Sequence, residues 1–151
     1  MTPQILEPDD TSGSLTDAPS WLELDDIVRI HAVAMHLMGE RARPVIDEGR
    51  LRSKLTRPLN AYYYEEVRDP FLLGAMVAVA VSQAHGFEDG NKRTALAAMA
   101  VFLGSLGFDI DVTNEAVGQW LIAVAEEHDR DRDAKTEEFA AWLRTATSRI
   151  R

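Results

Sequence analysis

The residues with the most chemical content stand together at His85-Gly86-Phe87-Glu88-Asp89-Gly90-Asn91-Lys92-Arg93-Thr94. These ten positions hold an imidazole base, an acid, two cations and a glycine turn. An apolar run, Pro70 to Ala84, precedes them, and a helical pattern follows from Ala95 to Leu106. Placing a His, a carboxylate and two cations between hydrophobic helices is costly unless they face a shared cleft. Gly90 permits a turn that bulkier residues resist, so the N–H groups of Asn91 to Thr94 are expected to open the next helix. Unpaired donors at the positive end of a helix dipole bind anions. Lys92 and Arg93 add full charges there, and an acid such as Asp89 beside a phosphate site calls for a bridging cation, usually Mg²⁺. The chemistry this implies is phosphate handling. A Walker P-loop is excluded, because no glycine lies five residues before Gly90 and neither Ser nor Thr directly follows Lys92.

This segment resembles the signature loop of the Fic/Doc family, His-x-Phe-x-Asp/Glu-Gly-Asn-x-Arg, which His85, Phe87, Asp89, Gly90, Asn91 and Arg93 match. Two positions point within the family. The adenylyl-transferring Fic branch has Gly between the Asn and the Arg, and a second Arg three residues later; here those places hold Lys92 and Leu96. Asn91-Lys92-Arg93-Thr94-Ala95 resembles the Doc ("death on curing") branch, the toxin half of toxin–antitoxin pairs. Asp47 to Ser53, followed by Arg57-Pro58-Leu59-Asn60, is similar to the family's upstream helix and flap region. The resemblance covers roughly residues 21 to 145.

The resemblance implies a Doc-like enzyme that moves the γ-phosphate of ATP, with Mg²⁺, onto a Thr or Ser hydroxyl of a protein. Members of this kind modify the elongation factor that delivers aminoacyl-tRNA and halt translation, under the control of a cognate antitoxin. It assigns His85, Asp89 and Arg93 to catalysis, with His85 removing the target hydroxyl's proton and Asp89 holding the metal. Gly90, Asn91, Lys92, Arg93 and Thr94 would bind the nucleotide phosphates. Asn60 falls in the flap region that would dock the target, and Tyr62, Tyr63 and Tyr64 read either as further flap residues or as ordinary packing aromatics. The intramolecular brake of the family, Ser/Thr-x-x-x-Glu-Gly/Asn, is absent, since Glu48-Gly49 has Pro44 where the hydroxyl residue belongs. Two alternatives are protein adenylylation on the same fold and a catalytically silent binding protein that keeps the fold. A binding module has no need of His85, Asp89, Asn91 and Arg93 together.

The elements that must position this loop read as all-α: six to seven helices with a small flap segment, forming one domain over residues 20–151. Residues 1–19, rich in Pro, Ser, Thr and Asp, read as a disordered or loosely ordered acidic extension. A capping box at Ser20 and Glu23 is expected to open the first helix, which Gly39 ends. A short helix carries Leu51 and Leu55 and is expected to stop before Pro58, with Tyr62 to Tyr64 in the connection after it. Asp69-Pro70 starts a buried helix that is apolar nearly all round. Phe108 to Val112 alternate as an extended piece, Thr113 or Asn114 caps the next helix, and Thr136 caps the last one after a charged loop from Glu126 to Lys135. Among the remaining histidines, His31 reads as a core or satisfied polar residue, and His36 and His128 as surface.

Composition narrows the partners. The net charge of −9 argues against direct nucleic-acid binding, which requires a basic face. Residues 1–26 carry seven acids and no Lys or Arg, so the other 125 residues hold 16 cations against 18 anions and are nearly neutral. No cysteine is present, which excludes disulfides and a thiolate nucleophile and accords with a reducing cytosol. No signal peptide is apparent, and the longest apolar run is too short to span a bilayer, so the expected location is cytoplasmic, without a membrane.

Overall fold

Six helices and one small ribbon position the loop in the computed structural model, which describes Leu15 and residues 17–150. The helices are α1 (Leu24–Leu37), α2 (Glu48–Tyr64), α3 (Pro70–Ala84), α4 (Asn91–Ser105), α5 (Asn114–Glu126) and α6 (Asp129–Thr145). β1 (Phe108–Ile110) pairs antiparallel with β2 (Thr147–Arg149), Asp109 facing Ser148. The all-α expectation holds, with six helices. The ribbon only joins the end of α4 to the end of α6. Among the described residues no helix is long and apolar enough to cross a membrane.

Helix α3 lies at the centre because its sequence offers no polar face. Twelve of its fifteen residues are buried, and it packs on α2, α4, α5 and α6. Its start is built as expected, with Pro70 at the first turn and Asp69 Oδ1 accepting from the Phe71 N–H at 2.9 Å. The other Asp69 oxygen meets Arg144 at 2.8 Å and ties α6 to this end. Gly74 lets α4 approach closely: a Cβ there would sit 3.1–3.2 Å from Leu103. Helix α1 packs mainly on α4, with Ile27, His31 and Met35 buried.

Three boundaries differ from expectation. Helix α1 starts at Leu24, capped by Glu23 rather than Ser20, because Glu23 and Asp26 bond reciprocally to each other's backbone N–H. Helix α2 does not stop before Pro58 but runs through it to Tyr64. Leu51, Pro58, Ala61 and Tyr62 are all buried at helical spacing, so packing outweighs the missing N–H. Consequently Tyr62 to Tyr64 form the last turn of α2, not a connection. The expected charged loop is largely helix as well, since α6 begins at Asp129 and Thr136 lies mid-helix, bonded to the Arg132 carbonyl. The charges support it through the Arg132–Asp129 and Lys135–Glu138 pairs and through acids at its positive end.

The expectation of a loose extension falls mainly on residues 1–14, which lie outside the described residues. At its end, Leu15 is buried in the core and its N–H bonds to the Arg68 carbonyl at 3.0 Å. Gly39 takes φ +74 just past α1, and Thr113 caps α5 through the Ala116 N–H.

Candidate active site

The loop joins the end of α3 to the start of α4, and each side chain in it has a distinct environment. His85 closes α3 in the left-handed conformation, φ 48° and ψ 42°, which turns the chain out of the helix. That region costs an L-residue about 1–2 kcal/mol. His85 is exposed, and its imidazole makes no hydrogen bond among the described residues, leaving both ring nitrogens free for a reactant. Phe87 turns inward, only 2% exposed, and anchors the loop.

Asn91 closes the turn on itself. Its Oδ1 accepts from the Phe87 N–H at 3.1 Å and its Nδ2 donates to the Phe87 carbonyl at 2.9 Å. Asp89 Oδ1 accepts from the Gly90 N–H at 2.8 Å. Gly90 adopts φ +80, as the turn demands. A Cβ there would also run into the buried Met35 Sδ and lie 3.3 Å from His31 Cε1. Gly90→Ala is therefore expected to lose about 2–4 kcal/mol, from left-handed strain plus overpacking, measured by denaturant unfolding. A loss below about 1 kcal/mol would show that Met35 swings aside and the contact is soft.

The N–H groups of Asn91, Lys92 and Arg93 have no acceptor among the described residues, and the Thr94 N–H makes the first helical bond, to Gly90 at 2.9 Å. Three donors are thus open at the start of α4, not the four expected, because Thr94 already belongs to the helix. Among the described residues no carboxylate lies within ion-pair distance of Lys92 or Arg93. Two unpaired cations at the positive end of a helix oppose its dipole, so an anion is the natural complement. Ser82, His85, Glu88, Asp89, Gly90, Asn91, Lys92 and Arg93 line one open cavity of about 340 Å³. No group of three or more His, Asp or Glu side chains gathers to bind a metal by itself among the described residues. Asp89 alone fits the habit of Mg²⁺, which takes one or two carboxylates and completes its shell with phosphate and water.

The structure thus brings His85, Asp89, Gly90, Asn91, Lys92 and Arg93 around one cavity and places the other expected site residues outside it. Asn91 reaches the cavity, but its amide is spent on Phe87, so only its backbone N–H is open to a ligand. Thr94 is fully buried and does not line the cavity; its hydroxyl donates to the Gly90 carbonyl at 2.8 Å. The four residues expected to form a flap do not line it either. Tyr62 is buried with its edge against Trp21 and the Arg68 guanidinium 3.9 Å above its ring. Tyr63 and Tyr64 are exposed on α2, and Asn60 lines a different cavity with Arg57, Gln83 and Arg132.

A different segment borders the loop. Val45 forms an antiparallel bridge with Phe87, the Ile46 N–H donates to Gly86 at 2.7 Å, and the Glu88 N–H donates to Pro44 at 3.3 Å. This stretch is too short, and too interrupted by Pro44, to read as a strand from sequence. Ser82 was also missed; its place one turn before His85 on α3 is the signal that could have found it.

Comparison with known proteins agrees with the motif. The Fic/DOC family profile matches residues 21–103, more than half of the chain. The chain is also 38% identical over 64 residues to "Protein kinase doc" of Escherichia phage P1, a match spanning 42% of this chain and 51% of that protein. It thus covers about half of that relative's length. The chain belongs to the Fic/Doc family, on the side of its Doc branch.

Proposed function

We propose that this protein transfers the γ-phosphate of ATP to a Thr or Ser hydroxyl of a protein target, acting as a Doc-like toxin in the cytoplasm. The observation that carries this reading is the shared cavity, where a free imidazole faces three open N–H donors and two unpaired cations. The terminal phosphate is the most highly charged end of ATP, and such a nest holds it best. His85 accepts the proton of the target hydroxyl, a new O–P bond forms, the β–γ bridging P–O bond breaks, and ADP leaves. Lys92 and Arg93 neutralise the charge on the transferred group. Mg²⁺ held by Asp89 and the phosphates would neutralise further charge there. Leu96, half-buried against the core, supplies no further cation for a longer stretch of triphosphate. The name of the phage relative, "Protein kinase doc", independently supports phosphoryl transfer.

The target class that fits is the elongation factor delivering aminoacyl-tRNA, and a separate antitoxin is the expected control in the absence of an internal brake. The deciding experiment incubates the purified chain with Mg²⁺, ATP labelled at either the α- or the γ-phosphate, and that factor. Label from the γ-position on a Thr or Ser is expected. An adduct with the mass of AMP, or label arriving only from the α-position, would replace this reading with adenylylation. No label from either position, from protein confirmed to be folded, would favour a silent binding protein.

A further inference from the structure

One buried titratable side chain takes no part in the transfer chemistry. His31, on α1 and 1% exposed, touches the loop, α4 and the segment that follows α1. Its ring stacks on Phe87 with centroids 3.8 Å apart and planes 7° from parallel. Nε2 accepts from the Arg43 backbone N–H at 2.9 Å, and Nδ1 lies 2.8 Å from Thr94 Oγ1. A backbone N–H can only donate, so Nε2 keeps its lone pair and the neutral ring carries its proton on Nδ1. Nδ1–H therefore donates to Thr94, whose hydroxyl donates in turn to the Gly90 carbonyl. The result is one directed chain from Arg43, through His31 and Thr94, to Gly90. Burial lowers the pKa of the ring, partly offset by the charge of Asp89, which keeps the neutral form this chain requires.

One end of the chain reaches the cavity lining at Gly90, and the other reaches the segment that pairs with the loop behind it. Arg43 leads into the extended segment that pairs with the loop through Pro44, Val45 and Ile46. Its outward side is open: Ile46 is exposed, and the N–H and C=O of Val45 have no partner among the described residues. Gly90 begins the phosphate nest. We propose that His31 is a positioning residue that fixes the extended segment relative to the phosphate nest, so that the two substrates of the transfer meet in register. The proposal rests on the transfer reading for its kinetic consequences, but not for its structural ones.

Two substitutions separate the halves. His31→Asn places an amide N–H where Nδ1 stands and keeps the Thr94 link while losing Arg43. His31→Gln places a carbonyl oxygen where Nε2 stands and does the reverse. In His31→Asn the KM for the protein target is expected to rise about tenfold, with that for ATP within about threefold, the scale of one lost hydrogen bond. His31→Gln is expected to show the opposite split. Thr94→Val, which keeps the shape and removes the hydroxyl, should behave like His31→Gln and serves if that variant fails to fold. Amide hydrogen exchange reads the same division without turnover. Arg43, Ile46 and Glu88 should lose protection in His31→Asn, and Thr94 should lose it in His31→Gln and Thr94→Val. Equal loss in both halves, tracking only melting temperature, would reduce His31 to ordinary packing and overturn the proposal. Because exchange needs no reaction, a failed γ-label experiment leaves this test intact.

Discussion

His85→Ala is expected to lower phosphoryl transfer by about 10²–10⁴-fold, the range a positioned general base contributes. Stability should stay within about 0.5 kcal/mol, as for an exposed side chain outside any network. The imidazole is exposed and makes no hydrogen bond among the described residues, so its removal leaves no cavity and no orphaned partner. The backbone adds a second, sharper arm. His85 sits at φ 48°, a conformation that costs a side-chain residue energy and costs glycine almost none. His85→Gly should therefore gain stability, offset by the greater freedom of glycine in the unfolded chain, while transfer is equally lost. The wild type then tolerates strain to present the imidazole, as strained residues at reactive sites commonly do. Transfer at the wild-type rate in His85→Ala, measured with γ-labelled ATP, would remove His85 from the chemistry.

The legible parts of the chain are those whose determinants are local. The loop could be read because base, acid, glycine and cations fall within ten residues, and α3 because fifteen nearly unbroken apolar residues admit no other place than the centre. Caps at Asp69 and Thr113 were visible for the same reason. What escaped depends on partners distant in sequence. Helix α2 passes through Pro58 because Pro58, Ala61 and Tyr62 are buried in its far half, which no local rule at a proline conveys. The segment around Val45 is extended only by virtue of Phe87, some forty residues on. His31 meets Thr94 across 63 positions, so its burial could be anticipated but its connection to Gly90 could not. Asn91 and Thr94 stand in the motif, but that their side chains bond to Phe87 and Gly90 is visible only in the folded loop. Charge also misled: alternating acids and bases from Asp129 to Lys135 suggested a solvated loop, whereas at i,i+3 spacing they pair along a helix.

Arg93→Ala is expected to reduce transfer by about 10³-fold or more, as for arginines that neutralise a transferring phosphoryl group, and the structure indicates how to separate that loss from damage to the fold. Arg93 is half-buried in the first turn of α4, lines the cavity with His85, and has no carboxylate within ion-pair distance among the described residues. A cation there repels the helix dipole, by about 0.3–1 kcal/mol where solvent reaches it. Removing it should therefore leave the free protein equally or slightly more stable while activity falls. Lys92 is more exposed, so Lys92→Ala should cost roughly tenfold in transfer with the same direction in stability. Arg93→Lys restores the charge but not the planar fork that meets two phosphate oxygens at once, and so should recover only part of the loss. Wild-type melting temperature should rise with added ATP and Mg²⁺, and that rise should shrink most in Arg93→Ala. A variant that loses stability in proportion to activity would make Arg93 a structural residue, and the anion site would then rest on the three backbone donors and Lys92.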